Sequence, residues 1–358
     1  MGAAMKVLYD HQAFMQPYGG VSRYFMELIC AMRELEGFEP LIPRFFSDNQ
    51  YLGKKRTFIT RRHFPGKSRA MHVLNRPISE LALQDGSDLF HPTYLHPYFL
   101  PWARMPFVVT VHDMTHHIFG ESDVRDDGTR ESTRILCERA ARIIAVSNHT
   151  KSDLCRYLGV SPEKVSVVHH ATNLRYNGEP PIPDGAYLLY VGVRSGYKNF
   201  LFFVSAVARL LEQANLNLVC AGAEPFSRDE MQALRGLSLE HRVRHIPIHC
   251  SEQLASLYHF AEALCYPSLH EGFGMPLLEA FACDCPVVTS STSSLPEIAA
   301  EAAEYFCPID RESIVTAIER GLAPERRKAL IAMGKARLVR FSWHCSAEKT
   351  LEVYRAAV

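Results

Sequence analysis

Apolar runs of strand length alternate with stretches of helical period along this chain, and the alternation breaks once and then restarts. That pattern leaves little besides parallel sheets covered by helices on both faces. In the first half, Met5–Tyr9, Asp88–His91, Phe107–His112, Arg142–Val146 and Val165–Val168 read as strands. Ser22–Leu35 carries Phe25, Leu28, Ile29 and Met32 at helical spacing. Glu131–Ala141 and His149–Leu158 also read as helices, the latter with Ser147 as its N-cap. Asn173–Gly185 is rich in Pro and Gly and has no period, so 174–185 is the expected linker. Beyond it, Tyr187–Val191, Leu216–Ala221, Val243–Ile246, Ala263–Tyr266, Pro286–Thr289 and Glu304–Cys307 read as strands. Helices fit Phe200–Gln213, Ser251–Phe260, Pro276–Ala282 and Arg311–Gly321. The expected class is α/β, with two Rossmann-like, doubly wound parallel-sheet domains over 1–173 and 186–340. A length of 358 residues agrees, since one core rarely exceeds about 250–300 residues.

Hydrophobic residues make up 47% of the chain and charged residues 22%, a globular balance. Lys+Arg and Asp+Glu stand at 39 each, which argues neither for nor against a polyanion, and no nucleic acid is expected. The ten cysteines lie mostly in apolar stretches, and no pair has C-x-x-C spacing. They read as reduced, buried thiols. MGAAMKVLYDHQ lacks an apolar signal region, and no run of apolar residues is long enough to cross a bilayer. The expected location is the cytoplasm, with contact to the inner face of a membrane left open. Gly53–Pro77 bears on that contact. It carries Lys54, Lys55, Arg56, Arg61, Arg62, Lys67, Arg69 and Arg76 with no acid, interleaved with Phe58, Phe64 and Met71. It reads either as a solvated loop or as a surface for an anionic acceptor or a membrane.

In parallel sheets ligands bind beyond the carboxyl ends of the strands, and the notable motifs lie there. The strongest is Glu271-Gly272-Phe273-Gly274-Met275-Pro276-Leu277-Leu278-Glu279 after the strand Ala263–Tyr266. A Gly-x-Gly loop lets a ligand approach the backbone, and Pro276 can open a helix whose N-terminus favours phosphate. Glu279 falls in the first helical turns, where it can accept bonds from sugar hydroxyls, and Glu271 sits at the loop start. The second motif is Gly192-Val193-Arg194-Ser195-Gly196-Tyr197-Lys198-Asn199, two basic residues in a strand–helix loop suited to a diphosphate. The third is Tyr18-Gly19-Gly20-Val21-Ser22, a tight turn without a dinucleotide fingerprint. The fourth is His112-Asp113-Met114-Thr115-His116-His117, which ends the strand Phe107–Val111. His112 there can hydrogen-bond a donor hydroxyl or a reacting centre. His112 and His116 are four apart, but the preceding residues read as strand and no Glu lies between them, which argues against a zinc hydrolase. His169 and His170 stay ambiguous, and Asp126-Asp127 carries no metal reading.

Together these elements resemble the retaining GT-B glycosyltransferases of family 4 over nearly the whole chain. The resemblance rests on E-x7-E at Glu271…Glu279, G-x5-K-N at Gly192…Lys198-Asn199, Ala145–Asp153, Leu295-Pro296-Glu297 and Tyr18-Gly19-Gly20. Val193-Arg194 and the early Tyr-Gly-Gly-Val-Ser-Arg-Tyr look most like bacterial mannosyltransferases of surface-polysaccharide assembly. Members commonly place Arg directly after the glycine at 192, where this chain has Val193, and neighbouring strand residues face opposite sides.

The resemblance implies an active site in a cleft between the domains. Glu279 would bind the nucleotide ribose and Glu271 the donor-sugar hydroxyls. The backbone of Gly272 to Leu277 would hold sugar and distal phosphate, and Lys198, with Arg194, the diphosphate. His112 would touch the donor sugar, and Gly20 the phosphates or acceptor. The donor implied is GDP-mannose first and a UDP- or dTDP-sugar second, with a saccharide or lipid-linked acceptor and no cofactor or metal. Residues 341–358 would form a helix crossing back to the first domain, with Phe341 and Trp343 at the crossing. The alternatives are a GT-B nucleotide-sugar epimerase and a non-catalytic nucleotide-sugar-binding subunit.

Overall fold

The computed structural model describes residues 4–15, 19–52, 66–119, 128–178, 184–194, 196–222 and 224–358. Tyr18, most of the basic stretch (53–65), Asp126-Asp127 and part of the linker (179–183) lie outside the described residues. The chain forms two compact units. Among the described residues, the first is drawn from residues up to Ile118, from 128 to His170 and from Ser342 to Val358, and the second from Ala171–Phe341 together with Phe119.

The second unit is one parallel sheet of six strands. These are β7 (Tyr187–Val191), β8 (Asn217–Ala221), β9 (Val243–Ile246), β10 (Ala263–Tyr266), β11 (Val287–Ser290) and β12 (Ala303–Phe306), in the order β12-β11-β10-β7-β8-β9. Each central strand is an unbroken apolar run because helices cover both of its faces. β7 and β10 therefore bury nearly all their side chains. Phe200, Phe203, Val207 and Leu211 on helix Phe200–Gln213 pack with Ile314 and Ile318 of helix Arg311–Leu322 in one core. The strand order reverses between β7 and β10, and the crevice at such a switch point is where doubly wound sheets bind nucleotides.

The first unit holds β1 (Met5–Tyr9), β2 (Phe38–Leu41), β3 (Leu89–His91), β4 (Val108–Val111), β5 (Arg142–Ala145) and β6 (Val165–Val167). Two parallel ladders, β2-β1-β3 and β4-β5-β6, meet at a parallel bridge between Phe90 and Phe107. The order 2-1-3-4-5-6 is again that of a doubly wound sheet, with its reversal at β1 and β3. Ser147 caps helix Asn148–Leu158 as expected, accepting from Thr150 N at 3.0 Å.

Helix Trp343–Arg355 belongs to the first unit. Its Tyr354 hydroxyl lies 2.9 Å from the Tyr9 hydroxyl and 2.6 Å from His91 Nδ1. His91 Nε2 continues to Thr110 Oγ1 at 3.0 Å, and the Tyr24 hydroxyl reaches the same oxygen at 3.3 Å. All five side chains are buried, so this network ties the helix to β1, β3 and β4.

Several elements differ from the sequence reading. Strand β2 was not among the expected strands; it contains Pro40, which is tolerated since β2 is the sheet edge. Helix Lys67–Ala82 occupies the described end of the stretch read as a solvated loop or contact surface, and it carries Pro77 internally. Helices Arg228–Gly236 and Pro324–Leu338 are also additional. The cysteines are all unpaired, but Cys30, Cys250 and Cys307 are exposed rather than buried. Among the described residues no helix is long and apolar enough to cross a membrane.

Candidate functional site

The loops after β7 and β10 flank the switch point, and they bring two of the expected residues together. Lys198 Nζ lies 2.6 Å from Glu271 Oε1 and donates to the Tyr266 hydroxyl at 3.3 Å. The Lys198 and Glu271 side chains keep only 13% and 11% of their exposure. Burial works against the charge on Lys198, but Glu271, with Tyr266 and Tyr197, outweighs it and holds the ammonium well above its usual pKa. The site therefore carries a fixed positive charge matched to one carboxylate.

Asn199 explains why Lys198 points there. It adopts the left-handed conformation that Asn tolerates, with φ 59°. Its amide donates to Pro267 O at 3.2 Å and Pro308 O at 2.7 Å, pinning the loop to those that follow β10 and β12.

Glu271 is held at its backbone. Its N–H donates to Ser293 Oγ and its carbonyl accepts from Ser294 Oγ, both at 2.9 Å. Sequence reasoning missed these serines, although they lie directly before the Leu295-Pro296-Glu297 segment. Helix Met275–Ala282 starts one residue earlier than expected, with Pro276 inside its first turn and Gly274 as N-cap. Gly274 has φ +91°, and a Cβ there would stand 2.6 Å from Leu295 Cδ2, so any other residue would strain the backbone and displace Leu295. Phe273 is buried and meets Phe341 edge-on at 6.0 Å. Glu279, also buried, accepts from the Tyr258 hydroxyl at 2.9 Å. Tyr258 is a further residue that no motif announced.

Arg194 is found away from the Lys198–Glu271 pair. Val193 takes the outward position, 56% exposed, and Arg194 turns inward. Its Nε meets Glu230 Oε1 at 2.9 Å, and Nη2 donates to the carbonyls of Glu224 and Pro225 at 2.8 and 2.7 Å. Arg194 thus fixes the loop after β8 to the loop after β7. A cavity of about 800 Å³ opens between these loops, with Val193, Phe202 and Phe226 in its walls.

In the first unit, Gly19 is the N-cap of helix Gly20–Met32, and its carbonyl accepts from Ser22 Oγ at 3.0 Å. A Cβ on Gly20 would meet nothing within 4 Å. His112 stands just beyond β4, edge-on to Tyr24 at 4.9 Å and stacked on His170 at 5.4 Å. Burial pushes its pKa down to about 4 against the opposing pull of Asp113, so the imidazole is neutral at pH 7. Its buried Nε2 has no hydrogen-bond partner.

Two family models cover most of the chain between them. Residues 18–176 match Glycosyltransferase Family 4, and residues 177–337 match Glycosyl transferases group 1. The chain is 27% identical to O-antigen chain mannosyltransferase B of Escherichia coli, over 98% of this chain and all of that one. It is 28% identical to O-antigen chain mannosyltransferase RfbU of Salmonella typhimurium over 59% of each chain. Among solved structures it resembles the sucrose-phosphate synthase of Thermosynechococcus elongatus, with TM-score 0.75, 21% identity and 98% of both chains covered. It also resembles Anabaena HepE in complex with UDP and glucose, with TM-score 0.73, 18% identity and 97% and 98% covered. The two matched models, the parallel sheet of each unit and these full-length likenesses agree: the chain belongs to glycosyltransferase family 4 and has the GT-B fold.

Proposed function

We propose that this glycosyltransferase transfers mannose from GDP-mannose, with retention of configuration, to a saccharide or lipid-linked saccharide in cell-surface polysaccharide synthesis. The observation that carries the reading is the Lys198–Glu271 pair at the β7/β10 switch point, next to the glycine loop that opens helix Met275–Ala282. The full-length likeness to an O-antigen mannosyltransferase supports the donor sugar. The UDP in HepE makes a UDP-sugar the next donor to try, followed by a dTDP-sugar.

In this reading the diphosphate takes its place at Lys198 Nζ and the backbone of Gly272, Phe273, Gly274 and Met275. Pro276 has no N–H to offer, and Leu277 N already donates to Gly274 O at 3.0 Å. Glu279, oriented by Tyr258, accepts from the ribose hydroxyls, and Glu271 from the sugar hydroxyls. His112 offers a neutral imidazole, and Gly19 and Gly20 a close backbone approach. Arg194 acts at one remove, by holding the loop that carries Lys198. The bond from the anomeric carbon to the phosphate oxygen breaks and the acceptor oxygen bonds to that carbon on the same face. The acceptor proton passes to the departing phosphate, whose charge Lys198 stabilises. Removing one such preorganised donor typically costs roughly 100- to 1,000-fold in rate.

Helix Lys67–Ala82 supports contact with a membrane that carries the acceptor. Val73, Leu74 and Leu81 stand exposed on it alongside the exposed Arg69 and Arg76. Flotation with anionic vesicles tests this contact, and a Val73→Ser/Leu74→Ser/Leu81→Ser variant should stay unbound.

The decisive experiment measures turnover of GDP-mannose, UDP-glucose and dTDP-glucose by wild type, Lys198→Ala and Glu271→Ala, with and without a chelator. Full activity in both variants refutes the site. Abolition by the chelator refutes metal independence. An isomerised sugar nucleotide without transfer identifies an epimerase, and tight donor binding without turnover a binding subunit.

A further inference from the structure

Six hydroxyls stand in a row from the end of β11, in Thr289-Ser290-Ser291-Thr292-Ser293-Ser294. β11 neighbours β10 in the sheet, and the run lies along the loop that leads from β10 to Glu271. Five of the six bond to the backbone of that loop, in order along it. Thr289 Oγ1 donates to Tyr266 O at 3.0 Å, and Ser290 Oγ and Thr292 Oγ1 donate to Ser268 O at 2.5 and 3.2 Å. Ser294 Oγ donates to Glu271 O, and Ser293 Oγ accepts from Glu271 N–H. Ser291 is exposed, and its amide pairs with Phe306 O at 2.9 Å. The β7 loop fixes the same segment from the other side of β10. Asn199 donates to Pro267 O, and Leu269 N donates to Tyr197 O at 2.8 Å. Glu271 ends this segment, with Lys198 on its side chain and two serines on its backbone.

Most of these bonds need no function, since a buried carbonyl requires a donor and a nearby hydroxyl supplies one. Ser293 differs from the other four. It alone accepts from the loop backbone. It alone holds a left-handed backbone, with φ 54°, which opposes any residue bearing a Cβ. Glycine would take that conformation without strain, but it has no hydroxyl. Backbone strain of this kind persists only where the surroundings over-determine it, and it clusters at functional sites. The partner of Ser293 is also the residue whose carboxylate meets Lys198.

We propose that Ser293 is a positioning residue for sugar transfer: it keeps a strained backbone so that its hydroxyl fixes the Glu271 amide, and with it the direction of the Glu271 carboxylate. The catalytic consequence rests on the role given to Glu271 above, whereas the bond and the strain do not. Ser293→Gly and Ser293→Ala both remove the hydroxyl, and only the alanine keeps the strain. A serine that served the fold alone would make activity follow stability. A positioning serine makes the two part.

The test uses the full chain and whichever of GDP-mannose, UDP-glucose and dTDP-glucose the wild type turns over. Ser293→Gly and Ser293→Ala are compared with wild type, alone and combined with Glu271→Ala. Donor kcat and KM, the thermal midpoint and amide hydrogen exchange at Glu271 are measured. Both serine variants should lower kcat about tenfold and leave KM within about threefold, as expected for one lost positioning bond. Exchange at the Glu271 amide should accelerate about tenfold or more in both. Ser293→Gly should nevertheless melt roughly 2–4 °C above Ser293→Ala, because it relieves the positive φ. In the Glu271→Ala background each serine change should cost less than about twofold in kcat, because the serine acts through the missing carboxylate. Wild-type kcat in either serine variant, unchanged exchange at Glu271, or an equal loss with and without the carboxylate overturns the proposal while the transferase reading stands. If the wild type turns over no donor, or Glu271→Ala is fully active, the transferase reading of Glu271 fails. The role of Ser293 then falls with it, even where exchange at Glu271 still responds.

Discussion

Replacing Lys198 by Met keeps the side-chain length and removes the charge, leaving the Glu271 carboxylate opposite an apolar group. Breaking a fully buried ion pair from one side costs roughly 3–5 kcal/mol, because the remaining charge is uncompensated. Here the two side chains retain 13% and 11% exposure, and water reaching Glu271 lowers that figure to about 2–4 kcal/mol. For a unit of this size, that shifts the melting temperature by roughly 5–15 °C. Lys198→Met/Glu271→Gln removes both charges and should recover to within about 1 kcal/mol of wild type. Activity should behave differently: both single variants and the double variant should lose roughly 100-fold or more in turnover, since the diphosphate has lost its cation in two of them and the sugar its carboxylate in two. Denaturant melts of the four proteins give the coupling energy, and donor turnover gives the rates. A coupling energy below about 0.5 kcal/mol would falsify the pairing, because exposed pairs already reach that value. Recovery of activity in the double variant would show that the charges serve only the fold.

Three further predictions follow from other parts of the molecule. Gly274→Ala should destabilise the second unit by about 2–4 kcal/mol, because a positive φ and a Cβ placed against Leu295 both oppose it; an unchanged denaturation midpoint would contradict this. Gly20→Ala meets open space and should leave stability within about 0.5 kcal/mol while lowering turnover, so full activity would remove Gly20 from the site. Burial pushes His112 and His11 down to about 4 and His91 to about 3, so the unfolded chain takes up protons that the folded chain refuses. Their stabilisation is complete above about pH 6.5 and is lost as pH falls toward 4, by roughly 1.4 kcal/mol per pH unit for each group. Lys198, raised in the fold, has the opposite sign, and its contribution declines only above the ordinary lysine range, near pH 10.4. Unfolding free energies measured between pH 4 and 8 check the histidines, and a flat profile would count against their burial.

The strands were legible because a doubly covered parallel strand must be apolar throughout. Tyr187–Val191, Val243–Ile246 and Ala263–Tyr266 form over the residues expected for them. The edge strand Phe38–Leu41 escaped because an edge needs no continuous run and admits Pro40. The Gly-x-Gly loop and the Lys-Asn pair were legible as local chemistry. What they bond to was not, since Glu230 lies 36 residues from Arg194 and Ser293 lies 22 from Glu271. Sequence spacing shows which groups are available, and strand order alone decides which of them meet. Val193-Arg194 illustrates the limit. Alternation along the chain correctly separates the two side chains, yet only Glu224, Pro225 and Glu230 show where the inward one is anchored.

The bonds that Tyr354 makes to Tyr9 and His91 set an order of events during synthesis. A ribosome delivers Ala171–Phe341 as one uninterrupted stretch, so that half can complete its core while translation continues. The half begun first has to wait, with the Tyr9 hydroxyl and one nitrogen of the His91 ring unmatched, until the helix from Trp343 emerges. The part made earliest is therefore finished last, and a nascent chain stalled before residue 343 should be cut by protease in its leading half.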